Sequence, residues 1–293
     1  MSDGSDARAS VSVLTLVRGR RTHLVNLIAG LNESTVQPDE LVIAYMQPEA
    51  HGDLPPTAFP VRAVFVAGDE MPLAAARNHA AGVANGEQLI FLDVDCIPAP
   101  TLVERYVATA TEPGGIRLGE VRYLPAGAVD GRLDWATLDR VGRRHPARPP
   151  IGIDEVRPTP SHGELWGLSF AISATDWAKA GGMDERYVGY GGEETDFAAR
   201  LERAGVAMFW VGGARAYHQH HIVHTPAYQH FDAIVRNARL FRATWGRWCM
   251  DYWLGHFAEH GLIDWNADTI TVRRQPSADE IAASRMPPDT LFS

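Results

Sequence analysis

Asp93-Val94-Asp95 follows directly on the apolar run at residues 89–92 (LIFL). Two carboxylates one residue apart at the end of a buried strand repel each other. Extended-chain alternation would turn both to one side and Val94 toward the core. A divalent cation that bridges to a diphosphate satisfies such a pair, because hard cations take oxygen ligands from carboxylates and phosphates together. Two solvated loop acids are the plain alternative. The placement after LIFL and before Ile97-Pro98 favours the metal.

A second group of candidate ligands comes late in the chain, where His218, His220, His221 and His224 lie close together. Imidazole suits Mn²⁺ and other transition metals better than Mg²⁺. A lone histidine is usually structural, whereas a cluster after a strand, in a chain with an acidic pair elsewhere, favours at least one ligand. Spacing does not say which one. The third element is residues 181–201, GGMDERYVGYGGEETDFAARL. Gly189, Gly191 and Gly192 surround Tyr190, which permits a mobile loop that carries an aromatic ring into a site. Glu193 and Glu194 then open a helix, where the dipole stabilises negative charge. A capped helix behind a glycine turn explains the acids without catalysis, but not the ring between glycines.

The elements that must position these groups follow from hydrophobic period. Short apolar, β-branched runs at residues 11–17, 41–45, 61–66 and 89–92 predict strands, and residues 22–31 and 72–82 have helical spacing. Further strands are expected at 116–123, 168–172 and 207–211, and helices at 175–180 and 195–204. Residues 125–160, rich in Pro, Gly and Arg, read as a long excursion. Residues 227–259 read as helix in pieces, broken near Gly246. Strands alternating with helices predict an α/β fold with a mixed, mostly parallel sheet flanked by helices, and a helical C-terminal extension. Ligands in such sheets bind beyond the carboxyl ends of the strands, where Asp93 and Asp95 fall.

Composition narrows the partners. The chain has 293 residues, 45% hydrophobic and 22% charged, with a formal net charge of −9. An acidic chain has no bulk attraction for nucleic acid or for an anionic membrane. The cluster Arg140, Arg143 and Arg144 reads as a solvated helix face. Two cysteines, Cys96 and Cys249, cannot make a disulfide framework and read as reduced thiols. Residues 1–10 are polar, lack the apolar core of a signal peptide and read as a disordered tail. No apolar run is long enough to span a bilayer. A soluble, cytoplasmic protein is therefore expected. Phe241, Trp245, Trp248, Tyr252, Trp253 and Phe257 read mainly as core. With Arg236, Arg239, Arg242 and Arg247 nearby, they leave open a peripheral contact on the inner face of a membrane.

DVD after a buried strand, AAARN at residues 74–78, and the GGMDE and GYGGEE stretches together resemble the GT-A glycosyltransferases of family 2. The C-terminal half resembles the galactosyltransferase module of β-1,4-galactosyltransferases and chondroitin-type polymerases. The resemblance covers residues 11–225: a nucleotide-binding half at 11–124, an acceptor and metal half at 160–225, then helices at 226–265 and a tail or arm at 266–293. It implies transfer of a hexose or N-acetylhexosamine from a nucleotide diphosphate sugar, a UDP-sugar first of all, to a hydroxyl of a carbohydrate, glycolipid or small metabolite, with inversion and with Mn²⁺ or Mg²⁺ as cofactor. Asp95, with Asp93, matches the metal-binding acids, and His218 matches the family's third protein ligand. Arg77 matches a nucleotide contact. Tyr190 and Gly192 match the loop that closes over the sugars. Trp166-Gly167 matches an aromatic-glycine pair lining the donor and acceptor pocket. Glu193 matches an acceptor-binding acid and Glu194 the catalytic base, where the family usually has Asp. The chain departs from the family after the second strand, where an acid that reads uracil is replaced by Met46-Gln47-Pro48, leaving Gln47 as the candidate contact to the base. A nucleotidyltransferase and a non-catalytic sugar- or nucleotide-binding protein are the rival readings. Val17-Arg18-Gly19-Arg20 is a poor phosphate loop for the first, and the retained Asp95, Glu194 and His218 argue against the second.

Overall fold

The computed structural model of the chain describes residues 8–68, 70–110 and 114–292. Of the tail expected at 1–10, residues 1–7 lie outside that description. Arg8 already clamps both carboxylate oxygens of Asp39, each at 3.0 Å.

The chain alternates strand and helix through its first third: β1 (Val11–Val17), α1 (Arg21–Asn32), β2 (Glu40–Tyr45), β3 (Val61–Phe65), α2 (Leu73–Val83) and β4 (Gln88–Leu92). Every residue of β1, β2 and β4 is buried, as a sheet covered on both faces requires. Then come β5 (Cys96–Pro98), α3 (Leu102–Ala108) and β6 (Ile116–Tyr123). The expected excursion contains α4 (Trp135–Val141), β7 (Arg143–Arg144) and β8 (Val156–Pro158), short elements with little periodicity of their own. Next are β9 (Ser169–Ser173), α5 (Ala174–Ala180), α6 (Glu193–Arg203) and β10 (Met208–His218). The C-terminal part holds α7 (Phe231–Trp245), α8 (Asp251–Glu259), the ribbon of β11 (Ile263–Trp265) and β12 (Ile270–Val272), and α9 (Ala278–Ala283).

The large sheet runs in the order β3-β2-β1-β4-β9-β6-β10-β5, with β7 added to β6 and β8 to β10. β3, β2, β1 and β4 are mutually parallel, β9 is antiparallel to both its neighbours, and β10 is parallel to β6. One apolar cluster, including Leu14, Phe91, Phe170, Trp177 and Phe197, packs under α2, α5 and α6. A second, including Val13, Leu27, Ile43, Ile90 and Tyr106, packs under α1 and α3. This is the expected α/β architecture.

Two pairings set the site. β9 runs back along β4 with Leu92 opposite Ser169, and the Asp93 N–H donates to Leu168 O at 3.0 Å, so Gly167 lies beside Asp93. β10 runs antiparallel to β5 with His218 opposite Cys96, and the Gln219 N–H donates to Asp95 O at 2.7 Å. β10 is longer than the expected 207–211. Its register on β6 shifts between Val211 and Ala216, across Gly212 and Gly213, and only past that irregularity does it reach His218.

Of the aromatic stripe, Phe241 and Phe257 are fully buried, Trp245, Trp248 and Trp253 are half-buried against the apolar clusters, and Tyr252 is exposed. Residues 266–293 carry β12 and α9, the latter with a Ser277–Glu280 capping box. They also clip the loop after β10, since the Thr225 N–H donates to Ser284 O and the Met286 N–H to Val223 O. Among the described residues, no helix is long and apolar enough to cross a membrane.

Candidate active site

Strand β4 ends at Leu92 and the chain turns at once. Residues 93–95 are not extended, so the two acids diverge instead of sharing one side. Asp95 is buried and faces the end of β10. His218 Nε2 lies 3.5 Å from its Oδ1 and His221 Nε2 lies 3.7 Å from its Oδ2. One ligand atom from each of the three residues fits within 4.8 Å of the others. Burial holds the His218 imidazole down at about 4, so it is neutral and free to ligate. Burial alone would raise the Asp95 carboxyl, but its surroundings, with the Arg20 guanidinium as the permanent positive charge among them, hold it below its ordinary value. A carboxylate with two imidazoles suits a transition-metal dication such as Mn²⁺ better than Mg²⁺. His221, left open by the sequence, belongs to the set. The loop that carries it is anchored on α1, where Asn26 donates to Gln219 Oε1 at 2.7 Å and Gln219 Nε2 donates to His23 O.

Arg20 was missed by sequence reasoning. It precedes α1 in the left-handed conformation, with φ 48°, and its guanidinium pairs with Asp95. The available signal was its place directly after the first buried strand.

Asp93 turns the other way and joins a second group. Arg77, on α2, is 2% exposed and donates to Asp93 at 3.1 Å, to Glu194 at 3.2 Å and to Glu193 at 3.4 Å. One buried guanidinium thus faces three carboxylates. Burial pushes the Asp93 carboxyl up to about 6 despite Arg77. Burial, followed by the Glu193 charge, pushes Glu194 up to about 7, against the pull of Arg77. Glu193 and Glu194 open α6 behind Gly192, whose φ of 91° is the left-handed turn that only glycine makes easily. Gly167 lies against this group: a Cβ there would come within 2.1 Å of Glu194 Oε1 and 2.6 Å of Arg77 Nη2.

The Tyr190 loop is held from α7. Asn237 is fully buried, and its Nδ2 donates to Val188 O, Tyr190 O and Gly191 O, while Arg236 donates to Val188 O and pairs with Glu70. The Tyr190 ring stacks on His230, with centroids 4.7 Å apart. Gln47 is occupied at both ends of its amide, accepting from the Gly19 N–H at 2.6 Å and donating to Glu49 O at 2.7 Å. It fixes the turn that presents Arg20. Trp166 has the Arg148 guanidinium over its ring at 3.1 Å and His145 against its edge. Beside the Asp95, His218 and His221 group, the Tyr123 ring lies 4.7 Å from that of His218, and Phe292 from the C-terminal segment seats against Tyr123 and His145.

Two family models match consecutive stretches of the chain: glycosyl transferase family 2 over residues 60–146, and the N-terminal domain of galactosyltransferase over residues 147–225. Their junction falls inside the excursion between β6 and β9. The chain has the GT-A glycosyltransferase fold. A solved structure of GalNAc-T7 with UDP, GalNAc and Mn²⁺ superposes with a TM-score of 0.56 at 18% identity, over 73% of this chain and 44% of that one. S. aureus TarS (residues 1–349) superposes with a TM-score of 0.51 at 13% identity, over 78% and 64%. Validoxylamine A glucosyltransferases from Streptomyces hygroscopicus subsp. jinggangensis and subsp. limoneus are 26% identical over 153 residues, 46% of this chain. The chain spans 36% and 34% of their lengths.

Proposed function

We propose that this GT-A chain is a metal-dependent, inverting glycosyltransferase that moves a hexose or N-acetylhexosamine from a UDP-sugar to a hydroxyl of a carbohydrate, glycolipid or small-metabolite acceptor. The observation that carries this reading is the meeting of Asp95 with His218 and His221, from different halves of the polypeptide, beside the Arg77-held acids. The UDP and Mn²⁺ of the GalNAc-T7 structure and the glucosyl transfer of the Streptomyces relatives point the same way.

Asp95, His218 and His221 hold the cation, which when bound neutralises charge on the departing diphosphate. Arg20, now paired with Asp95, is placed to pair with that diphosphate instead. Asp93 serves the donor side through Arg77 and is not needed as a direct ligand. Trp166, Gly167 and Tyr190 wall the sugar pocket, with Gly192 setting the turn. Glu193 takes an acceptor hydroxyl. Glu194, whose raised pKa suits a base near neutral pH, accepts the proton of the attacking hydroxyl. Residues 11–124 form the nucleotide half and residues 160–225 the acceptor and metal half. The protein acts in the cytoplasm, with any membrane contact peripheral.

Calorimetry of UDP with Mn²⁺ tests the metal group: Asp95→Ala and His221→Ala should each weaken metal-dependent nucleotide binding at least about tenfold. Unchanged affinity in both would remove the group from this role. NMR of the product anomer tests inversion, and a retained configuration would overturn it.

A further inference from the structure

Away from the metal, a small cavity lies between Trp166 and Trp210, bounded also by Tyr123, Arg144, Arg148 and Glu164. Its volume is about 30 Å³, room for roughly two or three water-sized atoms. A wider basin of about 580 Å³ adjoins it and shares Arg144, Arg148, Glu164 and Trp210, with Arg157 added to its wall.

Two residues of this lining each carry a buried polar atom with no hydrogen-bond partner among the described residues: Arg148 its Nη2 and Trp210 its Nε1. Trp210 is 5% exposed. Both atoms are donors, and neither group can accept a hydrogen bond. A ligand that satisfies both must therefore bring acceptor oxygens. Among the described residues Arg148 pairs with one carboxylate, Glu164, held through Nη1 at 3.0 Å. That single partner does not offset burial, which lowers the guanidinium pKa to about 10. A second anion would compensate it, and Arg144, which lines both spaces, adds positive charge, whereas Arg157 is already paired with Glu155 at 2.9 Å. Trp166 in the lining is followed by Gly167, whose backbone lies against Glu194, so the cavity adjoins the group assigned as base.

We propose that this cavity is the acceptor-side subsite for an anionic group, a carboxylate or a phosphate, carried on the acceptor. The Arg148 guanidinium and the Trp210 indole N–H bind its oxygens while the acceptor's hydroxyl faces Glu194. The assignment to an acceptor rests on the glycosyltransferase reading. The binding site itself does not, and its test needs no donor, metal or turnover.

The test is indole NMR of the full chain labelled with ¹⁵N, titrated separately with inorganic phosphate, acetate and glucose. The Trp210 resonance is assigned by its loss in Trp210→Phe. The expected result is a saturable shift of that resonance with one or both anions, at a Kd of about millimolar, and none with glucose. A response to phosphate alone assigns a phosphoryl group; a response to acetate alone assigns a carboxylate. Arg148→Gln should abolish the shift. Glu164→Gln removes the competing carboxylate and should tighten anion binding about threefold or more, an effect that misfolding cannot produce. No shift with either anion, an equal shift with glucose, a shift unchanged in Arg148→Gln, or weaker binding in Glu164→Gln would each overturn the proposal.

Discussion

At the scale of single residues the site is a problem of charge. Arg77 faces three acids, so at least one of them must hold a proton readily, and Glu194 is the one pushed to about 7. A base works only when deprotonated, so kcat/KM should fall as pH drops through about 7, with slope one. The Glu193 charge raises the Glu194 pKa. Glu193→Gln should therefore move that acid limb to lower pH, and a profile unmoved or moved upward would contradict the coupling. Glu194→Gln keeps the volume and removes the proton acceptor. It should lose about 10²–10⁴-fold in kcat while keeping UDP and Mn²⁺ affinity in calorimetry. Gly167→Ala places a methyl where Glu194 and Arg77 now touch backbone. A loss of kcat of similar size, with little change in thermal midpoint, is expected from that displacement.

At the scale of elements, α7 acts on the loop before α6. Asn237 reaches three carbonyls of that loop with one amide nitrogen. Its truncation leaves buried acceptors unpaired, at about 1–3 kcal/mol. Asn237→Ala should lower stability by that order in denaturant titration and raise the KM for the acceptor more than that for the donor. The glycines around Tyr190 suggested a loop free to move. The structure holds it, because the helix that pins it lies some 46 residues further along the chain and leaves no local mark. Phe241 and Phe257 were legible as core because the period that buries them is local. β5, β7 and β8 were not, being two or three residues long and defined by their partners.

At the scale of the molecule, the C-terminal segment reaches back to the site. α9 leads into residues 284–286, which pair with residues 223–225. The loop bearing His221 is thus held by α1 on one side and by this clip on the other. A chain ending at residue 283 should be cut faster within residues 219–226 in limited proteolysis, and UDP with Mn²⁺ should protect it less completely. Equal cutting of the two chains would show that the clip does not order the loop.

The sequence by itself determined the alternation of strands and helices, the placement of Asp93 and Asp95 at a strand end, and the acids that open α6. Each of these is written in local period, burial and helix-end chemistry. Only the tertiary structure decided which histidines meet Asp95, because that depends on β10 running parallel to β6 and, past an irregular Gly212-Gly213 step, pairing antiparallel with β5. The same holds for the split between Asp93 and Asp95. A turn of three residues parts them, and partners distant in sequence, Arg77 for one and Arg20 with His218 for the other, fix where each carboxylate points.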